Sequence, residues 1–525
     1  MTRDELSQAR HDELVEFAWA AQQRAEGAQR EVEQEREQRR LAEQQLRWFK
    51  NQLFGRKSER RVGEEGDGAQ LCLGELGEAP PEATVRGTAV RSHERKKRLP
   101  KAAADEKGLR FDDSVPVETV ILPNPELEGV AEDDLERVGE KVRYILCQRP
   151  TAYFVKKLVR PTFKRRATGE LTTAAPAPSV LEKSYADVSL LAGMLIDKFR
   201  SHLPLYRQHQ RMQAAGITVS RTSLTSWVGQ AARLLEPIAD AQLASVLGSR
   251  VLAMDETPIR AGRGAKGKMK TGYFWPIYGD QDEVVFPFSP SRGRQVVEGL
   301  LAAFEGTLLS DGYRAYDLYA ERREKVTHAQ CWAHTRRGFV KAEDVEPERA
   351  QQALDRIREI YAHEEAIRDR GLEDEKKLAV RAERSRPLVD DFFGWLRHEL
   401  AAAALLPTNP FTKAARYAMD RRTGLEVFLT NPEVPIDTNH LERTLRVIPM
   451  GRKNWLFCWS ELGAHQVGTV QSLMTTCVLQ GIDPYTYLVD VPQRISVHPQ
   501  AGVSELTPRL WKENFADSPL GPLTG

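Results

Sequence analysis

The central part of the chain carries an ordered series of strand and helix signals, which constrains its fold more than any other feature. Three segments rich in β-branched and aromatic residues are predicted strands: SRVLAMDETPIR, GYFWPIYGD and EVVFPFSP, the last two joined by a tight turn at Gly279 to Asp282. GRQVVEGLLAAF is a predicted helix, and GTLLSDGYRAY begins with a fourth strand. The first strand ends at Asp255 and the fourth at Asp311, so adjacent strands would bring these carboxylates together.

This order of elements predicts an α/β fold with a ribonuclease-H-like core. Transfer or hydrolysis at a DNA phosphodiester needs an activated water or 3′-hydroxyl and a stabilised leaving oxygen, and two magnesium ions about 4 Å apart can provide both. Such hard cations prefer carboxylate oxygens. A third carboxylate from elsewhere in the chain would complete the two metal sites.

The third carboxylate is predicted to be Glu442, in the segment DTNHLERTLRVIPMGRKNWLF. A helix here would bury a stripe formed by Leu441, Leu445 and Ile448. Glu442 lies at the edge of that stripe, from which it could reach the two aspartates. The alternatives are structural: Glu442 pairing with Arg446, Asp437 serving as a helix N-cap, and Asp255 acting as a turn residue at a strand end.

The N-terminal part predicts two modules. Residues 1–61 place apolar side chains at heptad spacing from Leu14 to Leu53, with polar interruptions at Glu35 and Arg39. This spacing predicts an alanine-rich coiled coil, with a single solvated helix as the alternative. Residues 62–110 are rich in Gly, Pro, Ala and Glu without a period, and predict a flexible linker.

Two candidate DNA-binding modules follow. Residues 111–183 form a small β-rich basic module whose cations could follow a phosphate backbone or guard an edge strand: Lys156, Lys157, Arg160, Lys164, Arg165 and Arg166. Residues 184–247 contain an apolar helix, a break at Gly216 and a Ser/Thr-capped helix, which predicts a helix-turn-helix or an ordinary helical hairpin. In the first reading Arg221, Thr222 and Ser223 begin the recognition helix and meet DNA.

Composition limits the class of protein. At 525 residues, several domains are expected, and a net charge of +1 means that polyanion binding must come from local patches. The five cysteines have no paired spacing, so neither a disulfide framework nor a zinc site is supported. Apolar runs are far shorter than the roughly 18 residues that a membrane span needs. We expect a cytoplasmic protein with no membrane partner.

Several motifs together resemble the DDE transposases of bacterial insertion sequences, specifically the family numbered sixty-six. They are NQLFGRKSER, KFRSHLPLYRQ, DETPI, LLSDGYRAY, CWAHTRRGF, DTNHLERTLRVIPMGRKNWLF and DPYTYL. The resemblance extends from about residue 40 to 490, with little likeness between roughly 62 and 180. Each motif is weak alone, but their order is specific.

The resemblance implies that Asp255, Asp311 and Glu442 are both the catalytic residues and the metal ligands, with two Mg²⁺ or Mn²⁺ ions. It also implies that the N-terminal helix is a leucine-zipper-like segment. The ribonuclease-H-like core would then comprise residues 248–340 and 433–490, with a helical insertion at 341–432 and a C-terminal tail at 491–525. CWAHTRRGF would follow a fifth strand.

Further residues are candidates for contact with DNA. Arg336 and Arg337 belong to CWAHTRRGF, where His334 could also bind, although a buried Trp332 and a hydrogen-bonded His334 are the structural alternative. Beyond the third carboxylate, cations could hold phosphates and a ring could stack on an unpaired base, the residues being Arg446, Arg452, Lys453 and Trp455. The alternative is a core strand formed by residues 455–457.

One departure concerns zinc. The family usually has a cysteine-rich, zinc-finger-like element ahead of the LPLYRQ helix, but Cys147 is the only cysteine between residues 73 and 330. A tetrahedral zinc site needs about four ligands. This module therefore either folds without metal or presents a different DNA-binding surface.

The expected function is cleavage at transposon ends and transfer of the freed 3′-hydroxyl to target DNA. The expected partners are the element's terminal repeats, target DNA and further copies of the chain, with accessory proteins of the same element implied by the resemblance. When bound to DNA, the protein would associate with the bacterial nucleoid. A hydrolytic nuclease or resolvase would not need the upstream modules. A catalytically inactive DNA-binding regulator is the alternative from another class.

Overall fold

The structure is a computed structural model that describes residues 109–149, 152–182, 184–264, 268–402, 405–455, 458 and 460–522. The predicted coiled coil at 1–61 and nearly all of the predicted linker at 62–110 lie outside these residues. The chain divides into two compact units. The described part of the smaller unit comprises Arg337–Arg356 and His398–Arg416, apart from residues 403 and 404. The larger unit contains the other described residues, and the α/β multi-domain organisation expected from the sequence is confirmed.

The N-terminal strands form two sheets, and the larger one is built around one long hairpin. The strands are β1 Arg110–Phe111, β2 Val117–Ile121, β3 Leu135–Arg149, β4 Ala152–Arg165, β5 Leu171–Thr173 and β6 Ile217–Thr218. β4 pairs antiparallel with β3 and β5 and parallel with β2, while β1 pairs with β6. Lys156, one of the cations on β4, is only 5% exposed. The cations of this module therefore do not all share a solvent-facing surface.

Three helices follow: α1 Val188–Leu195, α2 Leu205–Ala214 and α3 Arg221–Leu247. Gly216 has φ +80, a conformation that favours glycine, and it ends the turn after α2. Ser220 caps α3 by accepting a hydrogen bond from the Ser223 N–H at 3.0 Å. The predicted break and cap are both present, but α3 runs for 27 residues. Its apolar side packs into the main core of the larger unit.

The central region forms two sheets. Its strands are β7 Val251–Met254, β8 Thr257–Arg263, β9 Met269–Phe274, β10 Ile277–Tyr278, β11 Val284–Val285, β12 Phe288–Ser289, β13 Gly306–Ser310 and β14 Val326–Gln330. One sheet has the order β11-β10-β7-β13-β14, and the other has the order β12-β9-β8. In the first sheet β13 runs parallel to β7 and β14, whereas β10 runs antiparallel to β7 and β11.

Two prolines divide strands that the sequence predicted to be continuous. GYFWPIYGD becomes β9 and β10 on either side of Pro276, and EVVFPFSP becomes β11 and β12 on either side of Pro287. Proline has no N–H to donate to a sheet. The carbonyl of Pro287 accepts from the Trp275 N–H at 2.8 Å, so the chain changes sheets at both prolines together.

The remaining helices follow in chain order. Before the insertion they are α4 Arg294–Leu300, α5 Arg314–Ala320 and α6 Trp332–Val340. Then come α7 Pro347–Asp369, α8 Asp374–Val380, α9 Arg386–Ala402, α10 Pro410–Asp420 and α11 Arg422–Glu426. The last are α12 Asn439–Leu445, α13 Val447–Trp455, α14 Glu461–Leu479, α15 Pro484–Arg494 and α16 Pro508–Phe515. In the part of the chain that the structure describes, no helix combines the length and apolarity that crossing a membrane requires.

Local interactions hold the smaller unit together. The rings of Phe339 and Phe411 lie 5.8 Å apart. Arg349 bridges Glu346 and Glu399, both at 2.9 Å.

The segment after residue 491 is packed against the helices before it within the larger unit. Asp490 is fully buried and accepts from the Trp511 indole N–H at 3.0 Å and from the Leu520 N–H at 2.6 Å.

Candidate active site

The two aspartates follow neighbouring parallel strands. Leu309 of β13 pairs with Ala253 of β7, so the strands end side by side. The Asp255 carboxylate accepts a hydrogen bond from the N–H of Glu256 at 2.7 Å, and the Asp311 carboxylate accepts one from the N–H of Tyr313 at 2.9 Å. Both carboxylates are half-buried. The strand register therefore brings together the two residues that the sequence placed on adjacent strands.

Glu442 comes to this edge because the end of β14 holds the start of α12. The N–H and hydroxyl of Thr438 both lie 3.3 Å from the sulfur of Cys331, which follows β14. The Trp332 N–H donates to the Ile436 carbonyl at 3.1 Å. Leu441 is fully buried, whereas the adjacent Glu442 remains 27% exposed. The N-cap of α12 is Thr438, and Asp437 instead accepts from the Asn439 N–H at 2.9 Å.

Electrostatics links the three carboxylates. The pKa of Asp255 is raised from 3.8 to about 7; burial is the largest cause, the negative charges of Glu256, Asp311 and Glu442 add to the rise, and a hydrogen bond from the Glu256 N–H opposes it. A nearby negative charge disfavours the ionised form of a carboxyl group. The site thus holds excess negative charge that a bound cation would relieve.

The donor chemistry fits a hard divalent cation. Carboxylate oxygens are the ligands that Mg²⁺ and Mn²⁺ prefer. In the described ranges, however, no three or more His, Cys, Asp or Glu side chains already stand close enough to form a metal-binding group. The His334 Nε2 lies 3.8 Å from Glu442 Oε1.

A second set of residues, which sequence reasoning missed, braces the aspartates. Arg292 Nε donates to Glu256 Oε1 at 2.9 Å, and its guanidinium lies 4.2 Å from the centre of the Tyr313 ring. The hydroxyl of Tyr313 donates to the Arg292 carbonyl at 2.6 Å, and that of Tyr316 donates to Glu256 Oε2 at 2.8 Å. We call Arg292, Glu256, Tyr313 and Tyr316 the brace. In the sequence, the signals that could have indicated the brace were the adjacent acidic residues of DETPI and the two tyrosines of DGYRAY.

The structure places the candidate DNA-contact residues on three other elements. Arg221 and Thr222 are exposed and Ser223 is half-buried at the start of α3. Arg336 and Arg337 are exposed on α6. Trp332 is fully buried, and its indole N–H donates to the Leu425 carbonyl at 2.8 Å. This is the structural alternative given above, in which Trp332 is a core residue.

The residues after Glu442 differ in exposure. Arg446 and Lys453 are exposed, whereas Arg452 is half-buried and donates to the Pro258 carbonyl. Trp455 ends α13, half-buried against the core, with its ring packed on Gly451. The core-strand alternative is therefore wrong for Trp455, because the residue is helical, and residues 456 and 457 lie outside the described part. The contacts of all these residues with DNA stay predictions.

Comparison with known proteins identifies the family. Residues 183–466 match the model of the Transposase IS66 family, and residues 472–509 match the IS66 C-terminal element. Residues 40–120 match a model described as Transposase C of IS166 homeodomain. The chain belongs to the IS66 transposase family, as the resemblance in its motifs indicated. Membership supports a role as a transposase that acts on DNA, and DDE transposases generally use divalent metal ions.

Three similar proteins come from Sinorhizobium fredii (strain NBRC 101917 / NGR234). Uncharacterized protein y4hP is 31% identical over 501 residues, which cover 89% of this chain and 88% of that protein. Uncharacterized protein y4jD is 31% identical over 72% of this chain and 76% of its own length. Uncharacterized protein y4qI is 32% identical over 75% of this chain and 73% of its own length.

Proposed function

We propose that the chain is a DDE transposase that binds the terminal repeats of an insertion sequence, cleaves the DNA ends and joins the freed 3′-hydroxyl to target DNA. The observation that carries the proposal is the convergence of Asp255, Asp311 and Glu442 from two strand ends and one helix. These residues lie far apart in sequence, and their charges act on one another. Bringing like charges together raises the free energy of the folded protein, and a bound cation would offset that cost.

The proposal assigns the convergent region to a ribonuclease-H-like core. Its support is the five-stranded sheet, in which the first three strands run antiparallel and the fourth and fifth lie parallel to the first. In this assignment residues 248–340 and 433–490 form the core, residues 341–432 are the helical insertion and residues 491–525 follow it. The upstream modules at 1–61, 62–110, 111–183 and 184–247 would serve assembly and DNA binding.

Asp255, Asp311 and Glu442 would hold two divalent cations, Mg²⁺ or Mn²⁺. Bound there, the cations would activate the attacking oxygen and stabilise the leaving oxygen of the phosphodiester. Asp255 must ionise to act as a ligand, so it gives up the proton that its raised pKa otherwise retains near pH 7. The brace keeps the two aspartate-bearing strands in register while this charge changes.

Cations outside the triad would hold the DNA. Arg336, Arg337, Arg446 and Lys453 are exposed, as Coulombic contact with phosphates requires. The start of α3, with Arg221, Thr222 and Ser223, would supply a second contact. Arg452 and Trp455 would support Arg446 and Lys453 from partly buried positions. A substrate of chromosomal DNA places the enzyme in the bacterial cytoplasm, on the nucleoid, where further copies of the chain and other proteins of the element would join it.

The test is cleavage of a supercoiled donor plasmid that carries the element's flanking repeats, with Mg²⁺ or with EDTA. Wild type should nick at the repeat ends only with the metal, and Glu442→Gln should lose at least about 100-fold in rate, since it removes a charged ligand from a metal site. Glu321→Gln, at an exposed glutamate, is the matched control and should cleave normally.

The same experiment separates the proposal from its rival. Repeat binding without cleavage by wild type, even after the element's other products are added, would establish the inactive DNA-binding regulator instead. Normal cleavage by Glu442→Gln would remove that residue from the triad.

A further inference from the structure

A cavity of about 430 Å³ lies beside α12. His440, Arg443 and Thr444 of α12 line it, and their spacing puts them on one helix face, roughly opposite Glu442. Tyr278, another lining residue, pairs with Ala253, two residues before Asp255. α12 therefore carries both Glu442 and part of this cavity, and β10, which supplies Tyr278, pairs with the strand that precedes Asp255.

The walls of the cavity are apolar and its rim is cationic. Met474, Val447 and Val478 are among the wall residues, while Arg200 and Arg443 are exposed at its edge. Of the described residues that line it, none is an aspartate or a glutamate. The volume falls within the roughly 300–1,000 Å³ typical of sites for small molecules. The ligand that matches such a site is flat and apolar, with a negative charge at one end.

Ring side chains line part of the cavity. One of them, His202, adopts φ 54, a conformation that is uncommon for residues other than glycine. His440 stands edge-on to Tyr278, with ring centres 4.8 Å apart, so that part of the wall is aromatic. A ligand that fills the cavity would present a flat face to these rings.

We propose that this cavity binds one unstacked nucleotide of the DNA strand, with the base inside and its phosphates at Arg200 and Arg443. A nucleobase has apolar faces and a polar edge, and it carries its anionic phosphate at the distance of one sugar. Enzymes that do chemistry on a DNA base take that base out of the stack and hold it in a fitted pocket. The inference rests on the proposed function, because it takes DNA as the substrate.

Held in this way, the nucleotide would fix the strand relative to the carboxylates. α12 carries Glu442 on one face and lines the nucleotide pocket with the other, so a strand anchored in the pocket would lie about one helix diameter, roughly 10 Å, from Glu442. The pocket thus acts as a positioning device for the DNA end and takes no part in bond cleavage.

The test uses a short strand that carries a single base, at its central position. A five-residue deoxyribose-phosphate strand carries a single central 2-aminopurine and abasic sites elsewhere, and its fluorescence reports binding to the full chain in Ca²⁺. Two competitors have the same charge: one carries a single central adenine and the other is fully abasic. The adenine strand should compete at least about tenfold better, as base stacking on protein side chains implies.

Two tryptophan variants on the same helix complete the experiment. Val478→Trp fills the cavity from a position that is 50% exposed and should abolish the preference for the adenine strand. Leu462→Trp, 55% exposed and outside the cavity, is the matched control and should retain it. The double variant Arg200→Gln with Arg443→Gln should bind both competitor strands more weakly and by the same factor, because these side chains would hold phosphates.

Each contrary result overturns the pocket. Equal competition by the adenine and abasic strands would mean electrostatic binding alone, and an unchanged preference in Val478→Trp would place the base elsewhere. The plasmid assay keeps this separate from the proposed function. If the protein cleaves at the repeat ends but shows no base preference, only the proposed pocket is wrong. If it prefers the base but never cleaves, only the proposed transposase activity is wrong.

Discussion

At the scale of single residues, the brace explains how two mutually repelling aspartates are held. Arg292 joins the residue after Asp255, which is Glu256, to Tyr313, whose N–H binds Asp311. The Glu256 side chain is only 4% exposed, so its charge depends on the guanidinium and on the Tyr316 hydroxyl. Burial raises the pKa of Glu256, and these hydrogen bonds oppose that rise.

Arg292→Ala should therefore lower both stability and cleavage. Because the arginine side chain is 47% exposed, solvent screens part of the interaction, and we expect a loss of about 1–3 kcal/mol in the free energy of unfolding by urea titration. Arg322→Ala, which breaks an exposed ion pair with Glu298, should cost less than about 1 kcal/mol. Equal losses in the two variants would show that the brace is an ordinary surface pair.

Arg292→Lys tests the geometry of the brace. Lysine retains the charge but cannot make the forked contact with Glu256 or stack on Tyr313. We expect it to restore most of the stability and to leave the Mg²⁺ concentration for half-maximal cleavage several-fold above that of wild type. Full recovery of both quantities would mean that only the charge at this position matters.

The raised pKa of Asp255 gives stability a definite pH dependence. The folded protein keeps a proton on Asp255 up to about pH 7, whereas the unfolded chain releases it near pH 4. The folded state binds more protons in this window, so the free energy of unfolding falls as pH rises through it. Between pH 4 and pH 7 in EDTA, the free energy of unfolding of wild type should fall by on the order of 1–3 kcal/mol relative to that of Asp255→Asn.

Adding Mg²⁺ at pH 7.5 should reverse this loss in wild type and change Asp255→Asn little, since a ligand that binds the folded state stabilises it. Asp369→Asn, at an exposed aspartate, should follow the wild-type curve. Parallel curves for wild type and Asp255→Asn across the window would contradict the assigned pKa.

At the scale of elements, α14 holds the sheets against the main core through one close approach. A Cβ added at Gly468 would lie 2.3 Å from the Phe286 carbonyl, in the segment that links β11 and β12. The Ser472 hydroxyl, one turn further on, accepts from the Phe286 N–H at 2.9 Å. Glycine thus permits helix-to-backbone contact at the point where Pro287 moves the chain from one sheet to the other.

Gly468→Ala should destabilise the protein by about 1–3 kcal/mol, because backbone cannot move aside for the added methyl group. Gly394→Ala is the matched control within a helix. A Cβ there meets nothing within 4 Å, so the same change should stabilise by up to about 1 kcal/mol. In denaturant titrations, the two variants should change the free energy of unfolding in opposite directions. A change in the same direction in both would contradict the close approach at Gly468.

At the scale of the whole molecule, local sequence predicted much of the element order. β7 and β13 end just before Asp255 and Asp311, the chain breaks at Gly216, and Ser220 caps α3, all as expected. These features depend on side-chain alternation, glycine conformation and capping, which short stretches of sequence encode. The β8 and β9 hairpin was not predicted as a separate sheet, since nothing local tells which of two sheets a strand joins.

The sequence by itself determined the family, through the order of its motifs, and named the three carboxylates. Their meeting depends on the parallel pairing of β7 with β13 and on the Cys331 contact that sets α12 beside them. The brace and the nucleotide cavity also arise only in three dimensions: Arg292 approaches Glu256 across the fold, and the cavity walls come from separate helices. Local sequence fixes the conformation of a segment, whereas only the packing of distant segments decides which side chains share one space.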